Sequence, residues 1–331
     1  MKRTIRAAGA IAIAIGGALG FAAMPAASAA TLTYEVAFQA NTGYLWDIGD
    51  GASGSQGYGM MAGTSPSITA ISSGIEEAFQ SNAGQLWTEG NDGTGNTTKG
   101  MMAGTSPAVT MLGDQQHYEG AFQASGGVLW TFGSFGSGST GEGMAAGTSP
   151  SLTAAGSDQY EIAFQANTGY LWISGPDGTG SQGVIMARGT SPDIAQFGSY
   201  GYEVAFQAGN GDLYLAGTAF SGDQHVAMKA GTSPAIATFG CTTGGYEVAF
   251  QGADGHLWLG GSGGYTDTGN PMAAATSPSI SGSQFCNGQY QVAYQGSNGD
   301  LWTQGSLGGG NLGYGMKAGT SPSIAFAPGS S

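Results

Sequence analysis

The chain has 331 residues, 64 of them glycine, and 21 acidic residues against seven basic ones. Three of the seven, Lys2, Arg3 and Arg6, stand at the N-terminus, which leaves Lys99, Arg188, Lys229 and Lys317 for everything else. Such a chain cannot replace the counterions of nucleic acid or anionic lipid, so a neutral or cationic partner is expected.

Residues 1–29 read as a secretory signal peptide. Lys2, Arg3 and Arg6 form a basic start, Ala7 to Ala23 an apolar run, and Ala27-Ser28-Ala29 an A-x-A-like cleavage site. The apolar run is short and broken by glycine, which argues against a membrane anchor. No second apolar run follows, so a secreted protein without membrane insertion is expected, with residues 30–331 as one domain.

That domain is repetitive. Phe-Gln or Tyr-Gln recurs at Phe38, Phe79, Phe122, Phe164, Phe206, Phe250 and Tyr294, and each aromatic is followed 28 residues later by the proline of a Thr-Ser-Pro, from Pro66 to Pro322. The copies start near Tyr34, Ile75, Tyr118, Tyr160, Tyr202, Tyr246 and Tyr290, with a period of 41 to 44 residues. Strict aromatic and aliphatic periodicity argues against glycine-rich disorder. A β-type unit of this length cannot bury its faces alone, so seven units predict an all-β, seven-bladed β-propeller of four-stranded antiparallel blades.

Within a copy, Tyr34 to Gln39 alternates bulky and small or polar residues as a strand does. Asn41-Thr42-Gly43 turns the chain, Tyr44 to Ile48 returns, a short strand is expected around Met60, and another around Ile68 after Thr64-Ser65-Pro66. The first copy lacks an Ile68-type strand before it, and the last runs on into Ser323 to Ala327. Each blade should therefore begin with the strand after the proline, and the C-terminal strand should close the ring, removing a free edge. The Asn-Thr-Gly turns and the Thr-Ser-Pro crossovers then share one rim, the rim of constant length.

The phrases AFQANTGYLW, GMMAGTSPSI and GYEVAFQA resemble the repeats of seven-bladed propeller lectins of the Photorhabdus (PLL) type, and more distantly those of tectonin and tachylectin propellers. The resemblance covers residues 33–327. It implies a multivalent, non-enzymatic binder of glycans, commonly of fucose or O-methylated sugars, with sites between neighbouring blades. Tyr214 in place of Trp, Gln291 in place of Glu and Ala275 in place of Gly depart from the pattern in blades five to seven.

The residues expected to contact sugar are the aromatic platforms Trp46, Trp87, Trp130, Trp172, Trp258 and Trp302, with Gln39, Gln80, Gln123, Gln165, Gln251 and Gln295 as orienting groups. Each has a structural reading beside it, because a recurrent tryptophan is often core and a buried amide often bonds backbone. Glu35, Glu76, Glu119, Glu161, Glu203 and Glu247 recur on the second strand and look structural. Catalysis needs groups with distinct roles in one place, whereas these carboxylates are copies of one another, so no catalytic residue is expected. His117, His225 and His256 fall in separate copies without metal-ligand spacing, and neither metal nor cofactor is expected. Cys241 and Cys286 both follow a first strand in adjacent blades, and in an exported protein they should pair as a disulfide; two unpaired buried thiols are the alternative. The sequence thus supports a secreted multivalent lectin with glycan partners, with homo-oligomerisation open, or alternatively a secreted propeller scaffold for protein partners without sugar binding.

Overall fold

The computed structural model describes residues 34–49, 53–199, 201–239, 245–283 and 288–326. Both cysteines and residues 1–29 lie outside them, so the disulfide and the signal peptide fall outside the described residues too. Those that are described form seven four-stranded sheets, each antiparallel throughout. Blade 2 is typical, running Ser67–Ile71, Gly74–Gln80, Gln85–Gly90 and Gly95–Gly100 from inner to outer strand. Blades 3 to 7 repeat this order, beginning at Ala108, Ser151, Asp193, Ala235 and Ser279.

Blade 1 takes its inner strand from the other end of the chain. Ser323–Phe326 pairs with Tyr34–Gln39 in the register Ala37 to Ser323, Val36 to Ile324, Glu35 to Ala325 and Tyr34 to Phe326. The inner strands contact one another in turn around the circle, the C-terminal one lying between those of blades 7 and 2. The domain is a closed seven-bladed β-propeller, with the strand phase expected from the two ends of the repeat. The methionines differ from expectation. Met60 and its counterparts sit one residue beyond the outer strand, in a bridge to the next blade, as Met60 does with Ser81 and Met316 with Ala40.

Packing follows the strand alternation. Val36, Phe38 and Leu45 are fully buried, as are Phe79, Leu86, Phe206 and Leu213 in their own blades. Every core cluster spans two blades: Ala37, Leu45 and Met60 of blade 1 pack with Ile68 and Phe79 of blade 2. A single blade is thus incomplete without its neighbour.

Near the axis the crossovers are linked by hydroxyls. The backbone N–H of Ser65 donates to Ser106 Oγ, Ser106 to Ser149, Ser149 to Ser191, Ser191 to Ser233, Ser233 to Ser277, Ser277 to Ser321 and Ser321 back to Ser65, each across 2.9 Å. The threonine before each serine is buried and turns its hydroxyl inward, as Thr64 Oγ1 does on the Met61 carbonyl at 2.8 Å. Thr-Ser-Pro is therefore a structural joint, its hydroxyls satisfying backbone groups that the tight crossover would otherwise strand.

Candidate functional site

The grooves between blades are built by an irregularity in the outer strand. In blade 1, Tyr44 pairs with Gly59 but Trp46 pairs with Ser55, so the outer strand carries extra residues between two successive pairs. The same slip occurs in all seven blades. At each bulge one residue takes a positive φ: Gly57, Gly141, Gly183, Gly269 and Gly313 at 71° to 81°, and the non-glycines Thr98 at 63° and His225 at 56°. A bulge re-aims the side chain that follows it. Here that side chain is Tyr58, Lys99, Glu142, Val184, Val226, Asn270 or Tyr314, and Tyr58, Lys99 and Tyr314 directly meet the recurrent aromatic of the next blade.

Each aromatic is half-buried, and six of the seven, all but Trp172, rest on the strand-paired ring behind them, as Trp46 does on Phe38 at 6.4 Å and Trp302 on Tyr294 at 6.3 Å. The other side of Trp46, Trp87 and Trp130 is met by the residue after the bulge of the preceding blade. Tyr314 lies 6.2 Å from Trp46, Tyr58 lies 5.4 Å from Trp87, and Lys99 Nζ stands 5.1 Å above Trp130. Val184 packs in one cluster with Tyr214, and Val226 with Trp258. Asn270 and Trp302 line a cleft of about 400 Å³ together with Thr303, Gln304 and Gly310, and Asn270 Nδ2 donates to Gln304 Oε1 across it at 2.5 Å.

The groove between blades 3 and 4 differs again. Glu142 holds there the position that a tyrosine or lysine takes elsewhere. Its Oε2 is buried without a hydrogen-bond partner, and so is Nε1 of Trp172 on the facing blade. Trp258 and Trp302, by contrast, donate to Asp254 and Asn298 of their own turns. The opposite end of this groove is a cleft of about 310 Å³ lined by Thr131, Thr140, Tyr160 and Ile162.

The recurrent glutamines are buried. Gln39, Gln80, Gln123, Gln165, Gln207, Gln251 and Gln295 are at most 2 % exposed. Each donates Nε2 at 3.1 to 3.3 Å to the backbone carbonyl 22 residues on, in the crossover. These bonds give the amides a framework role, while each Oε1 is buried without a hydrogen-bond partner.

The recurrent glutamates are structural, as their repetition suggested. Glu76 Oε1 accepts the Asp92 N–H, Glu119 that of Phe135, Glu161 that of Asp177 and Glu203 those of Ala219 and Phe220, pinning the loop after the third strand. Gln291 does the same work in blade 7 with Gly308 and Leu307. Burial raises the carboxyls of Glu76, Glu119, Glu161 and Glu247 to about 7, against the opposing pull of the backbone donors on the first three and of a hydrogen bond from Tyr290 on Glu247.

One groove breaks the symmetry of the acids. Glu77 occupies the apolar position held by Val36, Ile162, Val204, Val248 and Val292. Burial, and then the Asp47 carboxylate of blade 1, push it well above the usual carboxylate range. Asp47 is itself raised to about 7 by burial. A proton shared between the two is the arrangement that avoids two buried charges. At 1 % and 3 % exposure neither meets solvent in the groove.

Two of the histidines each stand beside two aspartates. His256 Nδ1 lies 3.1 Å from Asp267 Oδ2 and 3.8 Å from Asp254 Oδ2, and His225 stands with Asp212 and Asp223 in the blade before. The spacing of residues 254, 256 and 267 hides this convergence, because the outer strand folds back and its bulge brings Asp267 beside Trp258. A recurrent glycine eleven residues after the aromatic, at Gly57, Gly141, Gly183, Gly269 and Gly313, is the signal from which the bulge could have been read.

No protein-family model matches the chain, and none of the curated proteins compared with it is similar in sequence. Solved structures of like architecture are β-propellers. One is the Aleuria aurantia lectin in complex with alpha-methyl-L-fucoside, with TM-score 0.55 at 14 % identity over 76 % of this chain and 95 % of that one. The SapL1 lectin in complex with alpha methyl fucoside gives 0.52 at 11 % over 76 % and 95 %. AofleA from Arthrobotrys oligospora gives 0.52 at 11 % over 80 % and 90 %. At such identities the likeness is one of fold, and the Aleuria lectin has six blades where this chain has seven. Among the described residues no helix is long and apolar enough to cross a membrane.

Proposed function

We propose that the protein is a secreted, multivalent carbohydrate-binding protein whose grooves between blades take a neutral sugar, fucose or an O-methylated sugar being the leading candidates. The groove between blades 3 and 4 carries this reading. Around Trp172 it offers an aromatic wall, with a tryptophan N–H and a carboxylate oxygen that are both buried without partners, while the cleft of about 310 Å³ lies at its other end and includes neither residue. Buried polar atoms are normally satisfied, and a sugar hydroxyl can accept from Trp172 Nε1 and donate to Glu142. A small polar ligand is held by this mixture of an apolar wall and a few placed hydrogen bonds.

The grooves are not equivalent under this reading. Tyr314 and Tyr58 already cover Trp46 and Trp87, and Lys99 covers Trp130, so these three should be poor sites as they stand. The grooves ending at Trp172 and Trp302 should be the better ones. Tyr214, facing Val184, should bind differently or not at all. Several weak sites on one rigid ring would raise avidity on a glycan-rich surface by roughly 10²–10⁴ over a single site. The propeller lectins of similar fold, two of them with bound fucosides, and the sequence resemblance to Photorhabdus-type lectins support the same reading. No residue is assigned a catalytic role.

A glycan array on the purified protein, followed by calorimetry with alpha-methyl-L-fucoside and with O-methylated sugars, is the test. Binding lost on Trp172→Ala would support the assignment. Silence across a broad array would overturn it in favour of a protein-binding scaffold.

A further inference from the structure

We propose that Asp254, His256 and Asp267 on the rim of blade 6 form a binding site for a divalent transition-metal ion such as zinc. One ligand atom from each lies within 4.8 Å of the other two. The separations from His256 Nδ1, 3.1 Å to Asp267 Oδ2 and 3.8 Å to Asp254 Oδ2, bracket the roughly 3.4 Å between ligands set about 2.1 Å from a tetrahedral zinc ion. An imidazole with two carboxylates suits zinc, manganese or cobalt rather than calcium, which prefers oxygen alone.

The neighbouring blades supply an internal comparison. In blade 7 the same three positions are Asn298, Asp300 and Asn311, and both amides donate to Asp300 Oδ2, at 2.7 and 2.9 Å. In blade 5 they are Asn210, Asp212 and Asp223, and the Asn210 amide donates to both carboxylates, at 3.2 and 2.8 Å. Each of those clusters is closed by an amide donor. Blade 6 has none, because the asparagine of the turn is replaced by Asp254 and the following aspartate by His256. There the closing group is the His256 ring, whose Nδ1 is hydrogen-bonded to both Asp267 oxygens at 3.2 and 3.1 Å with Asp254 beside it, and a cation would take the place of that ring proton.

Outer contacts hold the carboxylates in place. Asp254 accepts the Trp258 indole N–H at 3.1 and 3.2 Å and the His256 backbone N–H at 3.0 Å, and Asp267 Oδ1 accepts the Gly269 N–H at 2.7 Å. Bonds of this kind orient metal ligands. About a third of each side chain is exposed, which gives an ion a path in and leaves room for water at the remaining positions. The bond from Trp258 to Asp254 ties the ion to the aromatic of the groove between blades 5 and 6. The site itself stands whether or not that groove takes sugar.

The test is titration of the chelator-treated full-length protein with zinc chloride by calorimetry, with manganese and calcium chloride as comparisons. One zinc ion per chain is expected, weakened by about tenfold or more in His256→Ala and in the near-isosteric Asp267→Asn, with melting of the metal-free variants unchanged. Asp212→Asn should leave the binding intact. Absence of zinc binding at millimolar concentration would overturn the proposal, as would zinc binding indifferent to both variants, or calcium preferred over zinc and unaffected by His256→Ala. Sugar binding plays no part in the readout, so failure here leaves the lectin reading untouched and the reverse holds as well.

Discussion

The backbone N–H of Ser321 donates to the hydroxyl of Ser65 across 2.9 Å, joining residues 256 positions apart in sequence. It is the seventh of seven equal bonds around the axis, and it lies beside the pairing of Ser323–Phe326 with Tyr34–Gln39. Removing the acceptor in Ser65→Ala should cost about 1 kcal/mol, a fall of roughly 1.5–2 °C in melting temperature for a domain of this size. Truncation after Pro322 removes the whole inner strand of blade 1 and should lower the melting temperature far more. Thermal melts of the two proteins give the comparison, and a truncated chain as stable as the parent would contradict the closure.

Glu77→Val should stabilise the protein. It restores the residue of four other blades at a position with 1 % exposure and removes a carboxyl that burial and Asp47 keep from ionising. Replacing a whole buried ionisable pair with well-packed apolar residues often gains about 1–4 kcal/mol, and since Asp47 stays buried in this variant the gain should lie at the low end of that range. The gain should be larger at pH 8 than at pH 4, where Glu77 is protonated and costs less. Chemical denaturation at both pH values measures it, and a variant less stable than the parent at pH 8 would count against the packing argument.

The recurrent glutamates set a pH dependence for the whole ring. Glu76, Glu119, Glu161 and Glu247 have folded values of about 7 against about 4.5 for the free side chain. Between those values the folded state holds more protons than the unfolded one, so stability declines as pH rises. It should be fullest below about 4.5, as far as these four groups decide it, and lowest above about 7. Melting temperature recorded from pH 4 to pH 8 in one ionic strength should fall along that window; a rise would contradict the assignment.

Trp172→Phe keeps the ring and removes the N–H. Sugar binding in the groove between blades 3 and 4 should weaken by about threefold to tenfold, the worth of one hydrogen bond. Tyr58→Ala, on the other hand, should uncover Trp87 and add a site. Calorimetric stoichiometry separates the two outcomes, since the first variant changes affinity and the second the number of sites.

Much of the architecture could be read from the chain, and the reasons are local. Tyr-Glu-Val-Ala-Phe-Gln alternates as a half-buried strand must, and a strand missing at Tyr34 and surplus at Ser323 fixes both phase and closure. The positions of Glu142 and Asn270 could not be read so easily. They depend on a bulge whose positive-φ residue is glycine in five blades but Thr98 and His225 in the others, and the residue after it varies without pattern until its partner across the groove is known. The burial of Gln39 and its copies against the crossover could not be read for a related reason: periodicity identifies a face but not whether crossover or solvent covers it. A reciprocal exchange of bulk was legible only in three dimensions. A Cβ on Gly143 would come 2.5 Å from Asn167 Nδ2, whereas one blade on Ile185 stands where the glycine was and the asparagine has become Gly209, whose Cβ would meet Ile185 at 3.2 Å.

The bulge also decides how such a ring can change. Because the residue after it lies outside the regular pairing, Tyr58, Lys99, Glu142, Val184, Val226, Asn270 and Tyr314 can be exchanged without altering a ladder hydrogen bond or a buried phenylalanine. Tyr314, Tyr58 and Lys99 each face a different aromatic. Recognition can therefore drift at one address while six stay fixed, and a duplicated unit can acquire its own preference by a single codon change with little cost to the assembly that carries it.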